Sequence, residues 1–350
     1  MEPTSHLARQ LQFLYTQLVS ILTRKGLEQV FKRRHGFDLR NLLGSSGEQV
    51  LSSLAGSMDA DKHMSSLPIH TSLSFVMGAP SCVRLPVAVR NEVNKALLAV
   101  RTPNLIYAVL LARGQLVQFV RPRKSPLWAE DLLLLINFVN SSSSFRESDG
   151  TWTPLCLPLY SPDANVFAYI AFLHKHNAPD VCLLLLTSSN EEFFALSESK
   201  DRVAASLLSS GALPRIQAVA NSPPFSMEEV RSSPLAVGPD ILHFVYFSST
   251  MNQFVAPAFS PPYSNPRAAR RLLRQYQEVH EWVHKYARGQ RVILMGGPRE
   301  VILAWLDRSL QLFVALSPLT PRADALAACN RLLRWLKKEE SSIFITPQMW

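Results

Sequence analysis

The chain is poor in recognisable chemistry. Gly-x-Ser-x-Gly, Gly-Lys-Ser/Thr, His-Glu-x-x-His and Cys-x-x-Cys are all missing from its 350 residues. The nucleophile elbow, phosphate loop, zinc-protease helix and paired-thiol site that those patterns build are therefore excluded, and no cofactor or metal is implied. Cysteine is scarce: Cys82, Cys156, Cys182 and Cys329 have no paired spacing, and three lie within or beside apolar runs. They read as buried thiols of a reducing compartment. No apolar run approaches the ~20 residues of a membrane span, and MEPTSHLARQ lacks a signal-peptide core. A cytosolic protein with only peripheral membrane contact is expected.

What is present is apolar and basic. At 47% hydrophobic and 18% charged the chain is globular, and its length allows two or three domains. The net charge is +9, and from Pro262 onward 14 basic residues face 7 acidic ones. Such an excess suits nucleic acid, an anionic membrane or an acidic partner. Trp128, Trp152, Trp282, Trp305 and Trp335 are scattered over predicted elements rather than interleaved with Arg or Lys on one strand. Core packing is expected of them, and no nucleic-acid platform.

The organising stretch is Ser141 to Leu186. Turn residues divide it into three apolar runs, Trp152 to Leu157, Val166 to His174 and Val181 to Leu186, which read as an antiparallel meander. The last run, VCLLLL, is apolar throughout and belongs in the middle of a sheet covered on both faces. Helices flank the meander at Trp128 to Asn140 and Asn190 to Ser210, the second with Glu191 and Glu192 expected in its first turn. Upstream, Asn104 to Ala112 and Gln115 to Arg121 form a hairpin closed by Arg113-Gly114. The order is two strands, helix, three strands, helix. It recurs after Asp240: strands at Ile241 and Gln253, a helix over Pro266 to Gly289, three strands with turns at Gly296-Gly297-Pro298 and Asp307-Arg308-Ser309, then a helix over Asp324 to Lys338.

SSSSFRE (Ser141 to Glu147), TWTPLCLP (Thr151 to Pro158) and LLRWLKKEESSIFI (Leu332 to Ile345) together resemble the Mon-one family, also called the SAND family, of vacuolar fusion and monensin sensitivity. The resemblance implies an α/β (α+β) fold of tandem longin-like domains, antiparallel sheets flanked by helices. It divides the chain into helices from the end of a first longin domain (1–47), a linker (48–74), a second domain (75–219), a linker (220–240) and a third domain (241–350). It further implies a subunit of a guanine nucleotide exchange complex. That subunit would pair with a Ccz-type longin partner to activate a late-endosomal GTPase of the Rab-seven type in endosome maturation and vacuole or lysosome fusion. No acid–base catalyst is needed for that. In the family the Rab-contacting surface lies chiefly on the first domain, of which this sequence carries only the last part. The alternative is a non-catalytic adaptor, or dominant-negative form, that binds the partner without exchange.

Two helical segments carry the candidate site. Arg267, Arg270, Arg271 and Arg274 recur at spacings of three and four, opposite Leu272 and Tyr276; Arg331, Arg334, Lys337 and Lys338 follow on the closing helix. Both sets are candidates for holding an anionic, phosphoinositide-bearing membrane, the alternative being solvated helix faces. At the other end of the chain, Leu11, Leu14, Leu18, Ile21 and Leu22 give Leu7 to Arg24 an amphipathic stripe that needs a partner. The basic run Lys32 to His35 reads as a solvated helix end. His174-Lys175-His176 reads as a turn rather than a metal site, and Ser141 to Ser144 as a polar loop.

Overall fold

The computed structural model describes residues 4–58, 69–173, 181–221, 225–233, 238, 240–286 and 289–350. The early part is helical: α1 (Thr4–Leu22), α2 (Arg24–Arg33), α3 (Arg40–Met58), α4 (Ile69–Met77) and α5 (Val87–Leu98). A first mixed segment follows: β1 (Leu105–Ala112), β2 (Gln115–Arg121), α6 (Ala129–Ser141), α7 (Ser144–Glu147), β3 (Thr151–Cys156), β4 (Asn165–Phe172), β5 (Val181–Thr187), α8 (Phe193–Ser209), α9 (Ala212–Asn221) and α10 (Met227–Arg231). The second comprises β6 (Ile241–Ser248), β7 (Gln253–Val255), α11 (Pro266–Tyr286), β8 (Val292–Gly296), β9 (Val301–Leu306), β10 (Leu310–Leu316), α12 (Arg322–Ile343) and β11 (Gln348–Met349).

These elements make two compact units, a middle one of residues 10–56, 83–221 and 345–350 and a late one of residues 1–9, 57–82 and 222–344. The middle unit holds a sheet in the order β11-β2-β1-β5-β4-β3. As expected, β5 lies between β1 and β4 and is buried at every position. The two-residue Arg113-Gly114 loop has φ of 49° and 76°, the primed turn that matches strand twist. On one face, Val93, Ala96 and Leu97 of α5, Leu196 and Val203 of α8 and Ile216 of α9 pack on Ala108, Leu110, Leu183 and Leu185. Val87 of α5 is exposed instead of joining that face. Helix α8 starts later than the acidic pair suggests. Glu192 is its N-cap, because Thr187 Oγ1 (2.5 Å) and Asn104 Nδ2 (3.1 Å) donate to its carboxylate and hold it at the strand ends.

The late unit repeats this order of strands. Its sheet runs β7-β6-β10-β9-β8, which is second-first-fifth-fourth-third, the sequence of neighbours seen in β2-β1-β5-β4-β3. Alternation along β10 sends Phe313 and Ala315 to a core with Leu272, Leu273, Tyr276 and Val279 of α11. Leu312, Val314 and Leu316 go to a second core with Leu332, Trp335 and Leu336 of α12. Helices α11 and α12 thus cover opposite faces of one sheet.

Boundaries differ from the expected ones in three places. The stretch expected to link domains from residue 48 is helical as far as Met58, with α4 later in the same stretch. Within the Pro- and Ser-rich connector, Ser226 and Glu229 form a capping box that starts α10, and Met227 and Val230 enter the late unit's core. Residues 345–350, expected in the third domain, belong to the middle unit, where β11 pairs in parallel with β2. Among the described residues no helix is long and apolar enough to cross a membrane.

Candidate functional site

The eight basic candidates do not form one patch, since α11 and α12 lie on opposite faces of the late unit's sheet. On α11, Pro266 opens the helix and Asn265 caps it, its Oδ1 accepting from Arg267 N–H at 2.8 Å. No acidic residue occupies the first turn, and Arg267 sits there, where the helix dipole disfavours a cation. Arg267 and Arg274 are exposed, while Arg270 is half-buried. Arg271 is committed elsewhere: its Nε and Nη2 donate to Glu300 at 3.1 and 3.2 Å, and Glu300 is only 2% exposed. Tyr263 Oη also donates to Glu300, at 3.4 Å. Burial, and then the Glu300 carboxylate, push the Tyr263 phenol above its ordinary value. This cluster fastens α11 to the β8–β9 turn, where Gly297 N–H donates to Glu300 O and a Cβ on Gly297 would meet that oxygen at 3.0 Å. On α12, Arg334, Lys337 and Lys338 are exposed and Arg331 is half-buried.

In the middle unit, α6 is buried almost all round, Leu132 to Asn137 without a break. Its side away from the core of α5, α8 and α9 is covered by residues of α1 and α3 through a polar junction. Asn137 Nδ2 donates to Gln17 Oε1 (3.0 Å) and Val50 O (3.1 Å), Ser53 Oγ to Asn137 Oδ1 (3.3 Å), and Gln17 Nε2 to Ser20 Oγ (2.8 Å). The early helix therefore docks, and only part of its leucine stripe takes part: Leu18 and Leu22 are half-buried and pack with Val19, Leu27 and Cys156. Leu11 is 65% exposed, whereas Phe13, Gln17, Val19 and Ser20 are buried, so the docked face is turned from the stripe and combines hydrocarbon with the amide contact to Asn137. Leucine spacing alone had no way to select that face.

At its first turn α6 holds the loop after β3. The Asp131 carboxylate is fully buried and accepts from Leu159 N–H (3.2 Å) and Tyr160 N–H (3.1 Å). Burial raises its pKa to about 6 against the pull of those two donors. Cys156 is buried nearby, and burial first, then Asp131 and Asp163, push its thiol to about 12. Such a thiol stays protonated and is a poor nucleophile.

Between α6, the early helices and β3 lies a cavity of about 310 Å³. Every residue from Thr151 to Leu157 lines it; Ser46 and Gly47 of α3 and Ser141 and Ser142 at the end of α6 are among its other lining residues. None of its lining residues is charged. Ser142 and Ser144 share a hydroxyl–hydroxyl bond of 2.6 Å there, so the serine run expected as a plain loop is part of a wall. Of the tryptophans read as core, Trp335 is buried and Trp152 stacks on Phe167 at 5.6 Å, but Trp128 and Trp282 are exposed. His174 and His176 lie outside the described residues.

Two sheets of identical strand order, each with a helix between its second and third strands, define a tandem longin-type protein. The Second Longin domain of FUZ, MON1 and HPS1 matches at residues 103–205, the Third at 240–340 and the First at 1–54. The chain is 36% identical over 344 residues to Vacuolar fusion protein MON1 homolog A of Homo sapiens, covering 98% of this chain and 50% of that protein. It is 34% identical over 339 residues to Protein SAND of Takifugu rubripes, covering 97% and 61%. To MON1 homolog B of Homo sapiens it is 32% identical over 365 residues, covering 99% and 63%. The chain belongs to the MON1 (SAND) family, and it spans half to somewhat under two thirds of the length of these relatives.

Proposed function

We propose that this chain is the MON1-type subunit of a guanine nucleotide exchange complex. It would pair with a Ccz-type longin subunit and act on a late-endosomal GTPase of the Rab-seven type in endosome maturation and vacuole or lysosome fusion. The observation that carries this reading is the likeness along 98% of the chain to a protein named for vacuolar fusion. Exchange by such a complex stabilises an open, nucleotide-free GTPase through an interface, so it asks for surfaces rather than an acid–base pair. In this reading the middle and late units supply assembly and peripheral membrane contact. Arg267, Arg270 and Arg274 are the α11 residues proposed to meet an anionic, phosphoinositide-bearing surface; Arg271 is held by Glu300.

The test is nucleotide release from the GTPase with the chain co-expressed with its partner subunit. Acceleration by the pair and none by the chain alone is expected. A second reading is a trafficking adaptor that binds the partner without exchange. Stable pairing without acceleration would select it. Membrane contact is checked separately by flotation with phosphoinositide liposomes, in which Glu at 267, 270 and 274 is expected to release the complex.

A further inference from the structure

We propose that the outer face of α8 in the middle unit docks a basic amphipathic segment of a partner protein, one that sets apolar side chains beside Lys or Arg. Helix α8 opens with Phe193 and Phe194, neighbours that a helix turns about 100° apart. Phe193 takes the inward direction. Its ring meets the buried Tyr169 at 5.6 Å and Trp152 edge-on at 6.1 Å, and Trp152 stacks on Phe167 with the planes 11° apart. Phe194 is thereby sent outward and is 78% exposed, its ring held edge-on to Phe193 at 5.3 Å. A lone exposed apolar residue would need no explanation. This one tops a run of rings, because Trp152, Phe167 and Phe193 are themselves only half-buried.

The charges around the rings set the chemistry of the occupant. In a chain of net charge +9, the stretch from Glu191 to Asp201 carries four acidic residues and one basic. Glu198 follows Phe194 by four residues and Asp201 by seven, so both carboxylates lie on the Phe194 side of the helix, and both are exposed. The one cation of this stretch is already engaged. Lys200 Nζ pairs with Asp201 at 2.7 Å, and that bond, more than the nearby Asp149 carboxylate, holds it charged. Arg202, next but one along, donates from Nη2 to Ser199 Oγ at 2.9 Å. An anionic membrane or a nucleic acid would be repelled by the acidic rim. A wholly apolar partner would cover Phe194 but strip water from Glu198 and Asp201 without replacing it. A segment with Lys or Arg three or four residues from a Leu answers both demands, hydrocarbon on the rings and a cation on a carboxylate.

Three fluorescein-labelled helical peptides test this on the full chain: leucine at helical spacing, with lysine, glutamate or serine at the other positions. Binding is read by fluorescence anisotropy and its place by hydrogen-exchange mass spectrometry. The Leu/Lys peptide is expected to bind at least tenfold tighter than the other two and to slow exchange within residues 191–202. Phe194 and Glu198 are exposed, so substitutions there leave folding intact. Phe194→Ala and Glu198→Lys should each weaken the Leu/Lys peptide about tenfold with an unchanged melting temperature, and Glu198→Lys should strengthen the Leu/Glu peptide. Phosphatidylserine vesicles are the membrane arm and should leave exchange in residues 191–202 unchanged. Failure of all three peptides to bind, equal binding by all three, protection away from residues 191–202, a Phe194→Ala chain that binds as well as the original, or protection of α8 by the vesicles would each overturn the proposal.

Discussion

Helices α6 and α11 hold the same place in the two units, between the second and third strands of sheets with the same strand order, yet they are built in opposite ways. Helix α6 buries nine of its 13 residues. Helix α11 buries seven of 21 and turns arginines outward. The difference follows from what lies over each helix. The side of α6 away from the sheet is roofed by α1 and α3, so it must be apolar on both sides, the buried polar exceptions being Asn137, which fixes the roof, and Asp131, which holds the loop after β3. Helix α11 keeps a solvent face, and its apolar positions fall back to one stripe. Topology decides where a helix goes; the second layer decides what its outer face is made of.

The harshest way to break this comparison is a charge on the outer side of each helix. Leu134→Glu, on the roofed side of α6, should cost more than about 4 kcal/mol and unfold the middle unit in urea titrations. The partner substitution on α11 that matters is not an outward arginine but the tethered one. Arg271→Ala strands Glu300 in the late unit and should cost about 3 kcal/mol, while Arg271→Ala with Glu300→Leu should recover most of it. Recovery would be read in the double-mutant cycle; a double variant as weak as the single one would show that the pair does not act together.

A third effect belongs to α6 alone and depends on pH. The Asp131 pKa stands at about 6 in the folded chain and near 3.8 when exposed. The native state therefore holds this proton more tightly than the unfolded state does. Its favourable contribution is fully present below pH 3.8 and is lost as pH rises to 6, a decline of about 3 kcal/mol attributable to this group. Asp131→Asn should remove that part of the pH slope, and an unchanged slope would refute the assignment. The smallest effect tests the exposed side of α11. Arg267→Glu replaces a cation by an anion at a helix N-terminus and should stabilise the late unit by about 0.5 kcal/mol. Losing stability instead would show that Arg267 is held by structure rather than exposed to solvent.

The sheets were legible from sequence because they are written in local signals: VCLLLL for a doubly covered strand, Arg113-Gly114 for the hairpin, and Gly296-Gly297-Pro298 for the β8–β9 turn. The eight basic residues were legible as charges but not as a surface. Their spacing fixes which side of a helix they occupy, whereas the face of the sheet that each helix covers is settled by alternation in β6 and β10. Glu300 gave no warning as the partner of Arg271, since a lone acid in a turn ordinarily points to solvent. The cavity beside β3 was less legible still. It arises where small residues far apart in sequence, Ser46, Gly47 and Ser141, meet an edge strand, and no local pattern marks such a meeting.

The short strand β11 bears on how the molecule can be made. Because residues 345–350 complete the sheet that contains β2, while residues 1–9 and 57–82 belong to the late unit, the two units are interleaved along the chain rather than successive. During synthesis the middle sheet waits for its sixth strand until the other unit has left the ribosome. A cut after Asn221 would not divide the chain into independent halves, because the upstream fragment lacks the strand that closes its β2 edge.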